Sequence, residues 1–113
     1  IEADNEQLRF GHGYDHNFVL SDTSRLKKAA VLHSSETGIV MTTLTTLPGI
    51  QAYSSNFLTQ RKGKTGSEID RRYALCLETQ IFPNAMACPN FPSPILRAGE
   101  HFHTETVYRF ETK

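Results

Sequence analysis

The stretch "YALCLETQIFP" (residues 73–83) sets a carboxylate, Glu78, in the middle of an otherwise strand-like run. A buried charge without a partner is costly, so Glu78 has to be exposed, paired or put to chemical use. On a pleated strand Cys76, Glu78 and Gln80 fall on one side and Leu75, Leu77 and Ile81 on the other. The pattern alone favours the solvent face of a sheet, since charged residues are mostly exposed. A half-buried polar cleft would instead make Glu78 a general base, and the neighbouring Cys76, a residue type usually found inside, leans that way.

A second group lies in "HGYDHNF", where His12, Asp15 and His16 fall within five residues. Such a set is either an Asp/His catalytic or metal constellation or an Asx-type turn with solvated histidines, and its spacing favours the turn. His101 and His103 form an H-x-H pair on one face of an expected strand. They could enlarge a zinc set, but nothing in the sequence ties them to His12 or His16, and no metal site is assigned. Gln51 and Tyr53 alternate onto one face of a strand after Pro48-Gly49, as ligand-contacting groups or as ordinary edge decoration; the pattern does not separate these.

The elements that must position these groups read as β throughout. "KKAAVLHSS" (27–35) is a short strand, "SETG" a turn, and "GIVMTTLTTL" (38–47) a strand rich in β-branched residues. Pro48-Gly49 turns the chain and "IQAYSSNFL" (50–58) restarts the alternation, so these three strands are most simply an antiparallel meander. Residues 58–72 are a polar, glycine-containing loop. Residues 82–100 carry four of the five prolines and cannot form a regular ladder. The last strand is "HFHTETVYRF" (101–110), with Phe102, Thr104, Thr106, Tyr108 and Phe110 on one face. "RFGHGYDHNFVLSD" (9–22) reads as a loop feeding a short extended stretch. No segment keeps a 3.6-residue period, and five or six antiparallel strands imply an all-β sandwich or part of a larger β-sheet protein.

The chain has 113 residues, one modest core's worth, with twelve acidic against twelve basic side chains. That balance gives no electrostatic footprint for nucleic acid or an anionic membrane. No apolar run has spanning length and no signal-peptide pattern opens the chain. Cys76 and Cys88 are expected as two reduced thiols in a reducing cytosol. The chain opens at Ile1 without methionine, which raises the expectation that it is a piece of something longer.

Three blocks, "GYDHNFVL" at 13–20, "LPGIQAYSSNFL" at 47–58 and "ALCLETQIFPNAMACPNFPSPILRAGE" at 74–100, with the closing "TVYRF" at 106–110, resemble the aldose 1-epimerases, or galactose mutarotases. They fall in that family's order and roughly its spacing. The resemblance implies an antiparallel β-supersandwich, with residues 1–113 as the C-terminal third of a single mutarotase-like domain. It implies Glu78 as the general base, and Asp15 and Gln51 as groups lining the sugar site. Neither metal nor organic cofactor is implied. The expected partners are an aldohexose and the remaining N-terminal part of the same protein, which would carry the general-acid histidine and a sugar-contacting arginine. A cytoplasmic location is expected, with no nucleic-acid or membrane partner.

Two departures from the family's pattern lie beside the site: Ser54-Ser55 where Thr-Gly or Thr-Ala is common, and Asn84 where an aspartate is usual. A rival reading from another class is a non-catalytic carbohydrate-binding β-sandwich domain with the same polar face. A third is a metal-dependent β-barrel enzyme using His101 and His103.

Overall fold

In the computed structural model, which describes residues 1, 3–21 and 25–113, the chain is built mainly from short β-strands. In chain order these are β1 (Asp15–Val19), β2 (Lys27–His33), β3 (Ile39–Thr45), β4 (Gly49–Tyr53), β5 (Arg61–Lys62), β6 (Glu68–Ile69), β7 (Cys76–Gln80) and β8 (Thr106–Thr112). A short helix, α1 (Glu6–Gly11), precedes β1, and a 3-10 turn covers Ala85–Ala87. Among the described residues no helix is long and apolar enough to cross a membrane. The chain divides into two compact units, Ile1–Phe18 with Gln51–Glu78, and Val19–Ile50 with Thr79–Lys113.

The second unit is organised by β3, whose β-branched residues suit a pleated, largely buried surface. β2 pairs with it antiparallel from Lys27↔Thr45 to His33↔Val40, with a bulge between Lys28 and Ala30. β8 takes its other edge in unbroken antiparallel register from Ile39↔Thr112 to Thr45↔Thr106. Both edges of β3 are therefore filled, and the expected meander does not form: β4 instead joins a separate sheet of order β1-β4-β7. The chain end of β3 shows how it leaves. Lys27 Nζ donates to the carbonyls of Thr45 (3.3 Å) and Leu47 (2.9 Å), and the Leu47 N–H donates to Thr45 Oγ1 at 3.0 Å. Groups that would have continued the ladder are satisfied locally, and Pro48 brings no N–H of its own.

β8 is also shorter than the sequence pattern suggests. Residues 101–105 are irregular, and strand geometry begins at Thr106, just after Glu105 and Thr46 exchange two hydrogen bonds of 3.0 Å. Phe102 and Thr104 therefore lie outside the face shared by Thr106, Tyr108 and Phe110. The proline-rich 82–100 segment forms no ladder, as expected, and its Asn84 adopts a left-handed φ of 57°. Asparagine tolerates that conformation better than most residues, so it is well suited to this position.

Three threonines, Thr42, Thr43 and Thr45, are buried in this unit alongside Val40, Ile50 and Ala85. Thr45 Oγ1 and Thr79 Oγ1 both meet Thr106 Oγ1, at 3.2 and 2.6 Å. Thr43 is fully buried, yet among the described residues its Oγ1 has no hydrogen-bond partner. An unsatisfied buried hydroxyl costs about 1–3 kcal/mol. Thr43→Val keeps the branched shape and removes the hydroxyl, so it should stabilise the full-length protein by about 1 kcal/mol in denaturant unfolding. A loss of stability would show that the hydroxyl is bonded.

Candidate sugar site on the β1-β4-β7 sheet

The first unit begins with α1, too short at six residues to show a helical period in the sequence. Its signal is local: the Asn5 side chain accepts from the N–H groups of Gln7 (2.9 Å) and Leu8 (3.4 Å), an N-cap. The helix ends at His12, which takes a left-handed φ of 54°. The His12 carbonyl, one of the acceptors a helix end leaves unused, receives Arg71 Nη2 at 3.0 Å and Arg72 Nη2 at 3.2 Å. The chain then passes through Gly13 and Tyr14 into β1, where Asp15 is the first strand residue.

Asp15 and Gln51, named separately from the sequence, meet. Gln51 Nε2 on β4 donates to Asp15 Oδ1 on β1 at 2.7 Å, and these strands are neighbours in the sheet. Asp15 is exposed and Gln51 half-buried, so the pair is open to a polar ligand. Glu78 lies on β7, the strand on the other side of β4, and it too is exposed. The three residues thus occupy three successive strands, with the outer two strands about 10 Å apart at two inter-strand spacings. Cys76 and Gln80 are half-buried on the same strand, and Cys76 and Cys88 are both free thiols.

The histidines fall differently. His16 Nδ1 accepts the Asp15 N–H at 3.0 Å, and its Nε2 lies 3.2 Å from the Gln7 carbonyl. That pattern assigns the proton to Nε2 and commits both ring nitrogens to holding α1 and β1. His12 is exposed, with its ring edge-on to Phe57 at 5.7 Å. His101 and His103 are not on a strand, so the H-x-H face that a zinc reading needed is not formed. Among the described residues no group of three or more His, Cys, Asp or Glu could hold a metal ion. Tyr53, considered beside Gln51, uses its hydroxyl to accept the Phe57 N–H at 3.2 Å.

The sequence pattern also carried alternation past Tyr53, where the strand in fact stops. Ser54, Ser55 and Asn56 are buried, between 2% and 5% exposed. Ser54 N–H donates to the Tyr14 carbonyl (3.0 Å) and the Tyr14 N–H donates to Ser54 Oγ (3.0 Å). Asn56 Nδ2 donates to the carbonyls of Gly11 and Tyr14, each at 2.8 Å, and its Oδ1 receives Ser54 Oγ at 2.6 Å. Ser55, at a left-handed φ of 52°, donates its hydroxyl to the Ala74 carbonyl at 2.7 Å, and its own carbonyl accepts the Arg72 N–H at 3.1 Å. This short polar segment therefore grips the approach to β1 on one side and the approach to β7 on the other. Gly13 is required where it sits: its φ is +134°, and a Cβ there would lie 2.3 Å from Asn56 Oδ1. The only sequence signal for this hub was three small polar residues opposite a Gly-His-Gly run, which also describes an ordinary loop.

Comparison with known proteins bears on the family and the fold. A profile of the family described as Aldose 1-epimerase matches residues 2–109. Galactose mutarotase of Rattus norvegicus is 40% identical over 100 residues, covering 88% of this chain and 29% of that protein. Aldose 1-epimerase of Escherichia coli K12 is 36% identical over 115 residues, covering 96% of this chain and 32% of that protein. The crystal structure of a GalM/aldose epimerase homologue from C. elegans superposes with a TM-score of 0.79 at 31% identity, over 88% of this chain and 30% of that one. The chain thus spans under a third of the length of these relatives, and the expected all-β, mutarotase-like fold is met over the superposed part. The chain belongs to the aldose 1-epimerase family.

Proposed function

We propose that the full-length protein carrying this chain is an aldose 1-epimerase that interconverts the α and β anomers of a hexose such as galactose or glucose. In this reading Glu78 is the general base, Asp15 and Gln51 hold the sugar, and residues 1–113 form the C-terminal part of one mutarotase-like domain. The observation that carries it is the Gln51–Asp15 hydrogen bond of 2.7 Å beside a strand bearing an exposed glutamate. A carboxylate steadied by an amide presents its remaining acceptor positions to sugar hydroxyls. The names of the rat and E. coli relatives support the same reaction.

The reaction moves protons and nothing else. Glu78 takes the proton from the C1 hydroxyl as an acid protonates the ring oxygen. The C1–O bond of the ring breaks, the C1 oxygen becomes a carbonyl, and the aldehyde rotates about C1–C2. Reclosure returns both protons and gives the other anomer. Because reactant and product are isomers at one oxidation level, the balance needs no redox partner or group carrier. The acid is assigned to a histidine outside this chain. A cytoplasmic location and the absence of nucleic-acid and membrane partners remain part of this reading, in keeping with the zero net charge.

Polarimetry of the full-length protein with freshly dissolved α-galactose or α-glucose tests the activity; a decay no faster than the spontaneous one would overturn it. Asp15→Ala should weaken sugar binding about tenfold or more, because a site built around hydrogen bonds to hydroxyls loses a charged acceptor. Calorimetric titration with the aldose checks this, and an unchanged affinity would remove Asp15 from the sugar site.

A further inference from the structure

Asn56 has both of its N–H donors committed and its oxygen engaged. It has nothing to offer a substrate directly. What it holds is the segment 11–14, and through the Tyr14 carbonyl it holds the residue immediately before Asp15. The amide orientation is fixed as well, since only nitrogen can face two carbonyl oxygens while the oxygen faces Ser54 Oγ. There is little slack in the contact, because even one methyl on Gly13 would collide with the amide. Asp15 is thus held from two sides: Gln51 meets its carboxylate across the sheet, and the Ser54–Asn56 pair fixes the backbone that leads to it.

We infer that Asn56, oriented by Ser54, is a positioning residue for sugar binding, acting through Asp15. The inference rests on the proposed sugar-site role of Asp15. Its physical basis is the steep dependence of polar recognition on geometry: a hydrogen bond weakens sharply once donor and acceptor leave the range of about 2.7–3.2 Å. Asn56→Asp is close to isosteric, but it sets a carboxylate oxygen where the amide nitrogen donated to both the Gly11 and Tyr14 carbonyls. Acceptor then faces acceptor at both contacts, and the 11–14 segment has to move away. Ser54→Ala is milder: it removes the hydroxyl that holds the amide and that receives the Tyr14 N–H, and leaves the backbone bond in place.

The test is steady-state polarimetry with galactose or glucose on the full-length protein and its variants. Asn56→Asp should raise KM about tenfold with kcat within a few-fold of the parent, and Ser54→Ala should raise it about threefold. A purely structural role would lower the active fraction, reducing apparent kcat at unchanged KM. Ser54→Ala also serves if Asn56→Asp does not fold. Combined with Asp15→Ala, it should add nothing to the KM of Asp15→Ala alone, because its effect passes through that carboxylate. Unchanged KM in the Asn56 and Ser54 variants, or an additive double variant, would overturn the role of Asn56 while the sugar site stands. If Asp15→Ala itself leaves KM unchanged, the sugar-site reading falls and this inference falls with it.

Discussion

Glu78→Gln in the full-length protein should slow aldose mutarotation by at least about a hundredfold, the lower end of what one positioned base contributes. Glutamine keeps the length and shape of the side chain and replaces the oxygen that takes the C1 hydroxyl proton with a group that cannot accept it. Glu78 is exposed on β7, so the substitution leaves no cavity and no buried unpaired group, and the melting temperature should be unchanged. The loss should fall on kcat, with KM within a few-fold of the parent, because proton abstraction occurs only in the transition state. Polarimetric progress curves across substrate concentration separate the two. Near-normal rates in the glutamine variant would take the base role away from Glu78, whatever the sugar contacts do.

That assignment shows what this sequence carried on its surface and what it did not. Strand conformation through 39–45 and 76–80 was readable because neither segment holds a glycine or proline and the first is rich in β-branched residues. Residues 82–100 were readable as irregular because proline removes the donors a ladder needs. The order of strands was not readable. β3 and β4 look like consecutive members of a meander until β8, whose Thr106 is 61 residues beyond Thr45, fills the free edge of β3. Non-local pairing of that kind leaves no trace in a local pattern. α1 was missed for the opposite reason, since fewer than two turns cannot establish a helical period and only the Asn5 cap marks its start.

The site was legible residue by residue but not as an arrangement. Asp15, Gln51 and Glu78 could be named from the blocks they sit in, whereas the adjacency of β1, β4 and β7 had to come from the fold. The clasp at 54–56 was invisible for a further reason. Serine and asparagine are usually exposed, so their burial follows only when specific carbonyls are known to await their donors. Ser55 makes the same point in its backbone. Its φ of 52° is a left-handed conformation that favours glycine, and its hydroxyl bond to the Ala74 carbonyl offsets the conformational cost of having a side chain there.

The 113-residue chain by itself should not accelerate mutarotation above the spontaneous rate, even as folded material. Proton transfer in this reaction has two ends, and the proposed site supplies one. Glu78 can take the C1 proton, but opening the ring also requires a proton on the departing ring oxygen, and an absent general acid costs about 10²- to 10⁴-fold. Asp15 and Gln51 are committed to each other and to the sugar in this reading. His16, the histidine nearest them in sequence, accepts the Asp15 N–H on one nitrogen and gives its proton to the Gln7 carbonyl from the other. Delivering that proton to a substrate would break the contact between α1 and β1. The measurement is polarimetry on material whose intact mass confirms these residues alone, in parallel with the full-length protein. Binding of the aldose without turnover is the expected result. Robust turnover by the chain alone would assign the acid to His12, His16, His33, His101 or His103, and His16→Asn and His12→Asn would be the first variants to separate them.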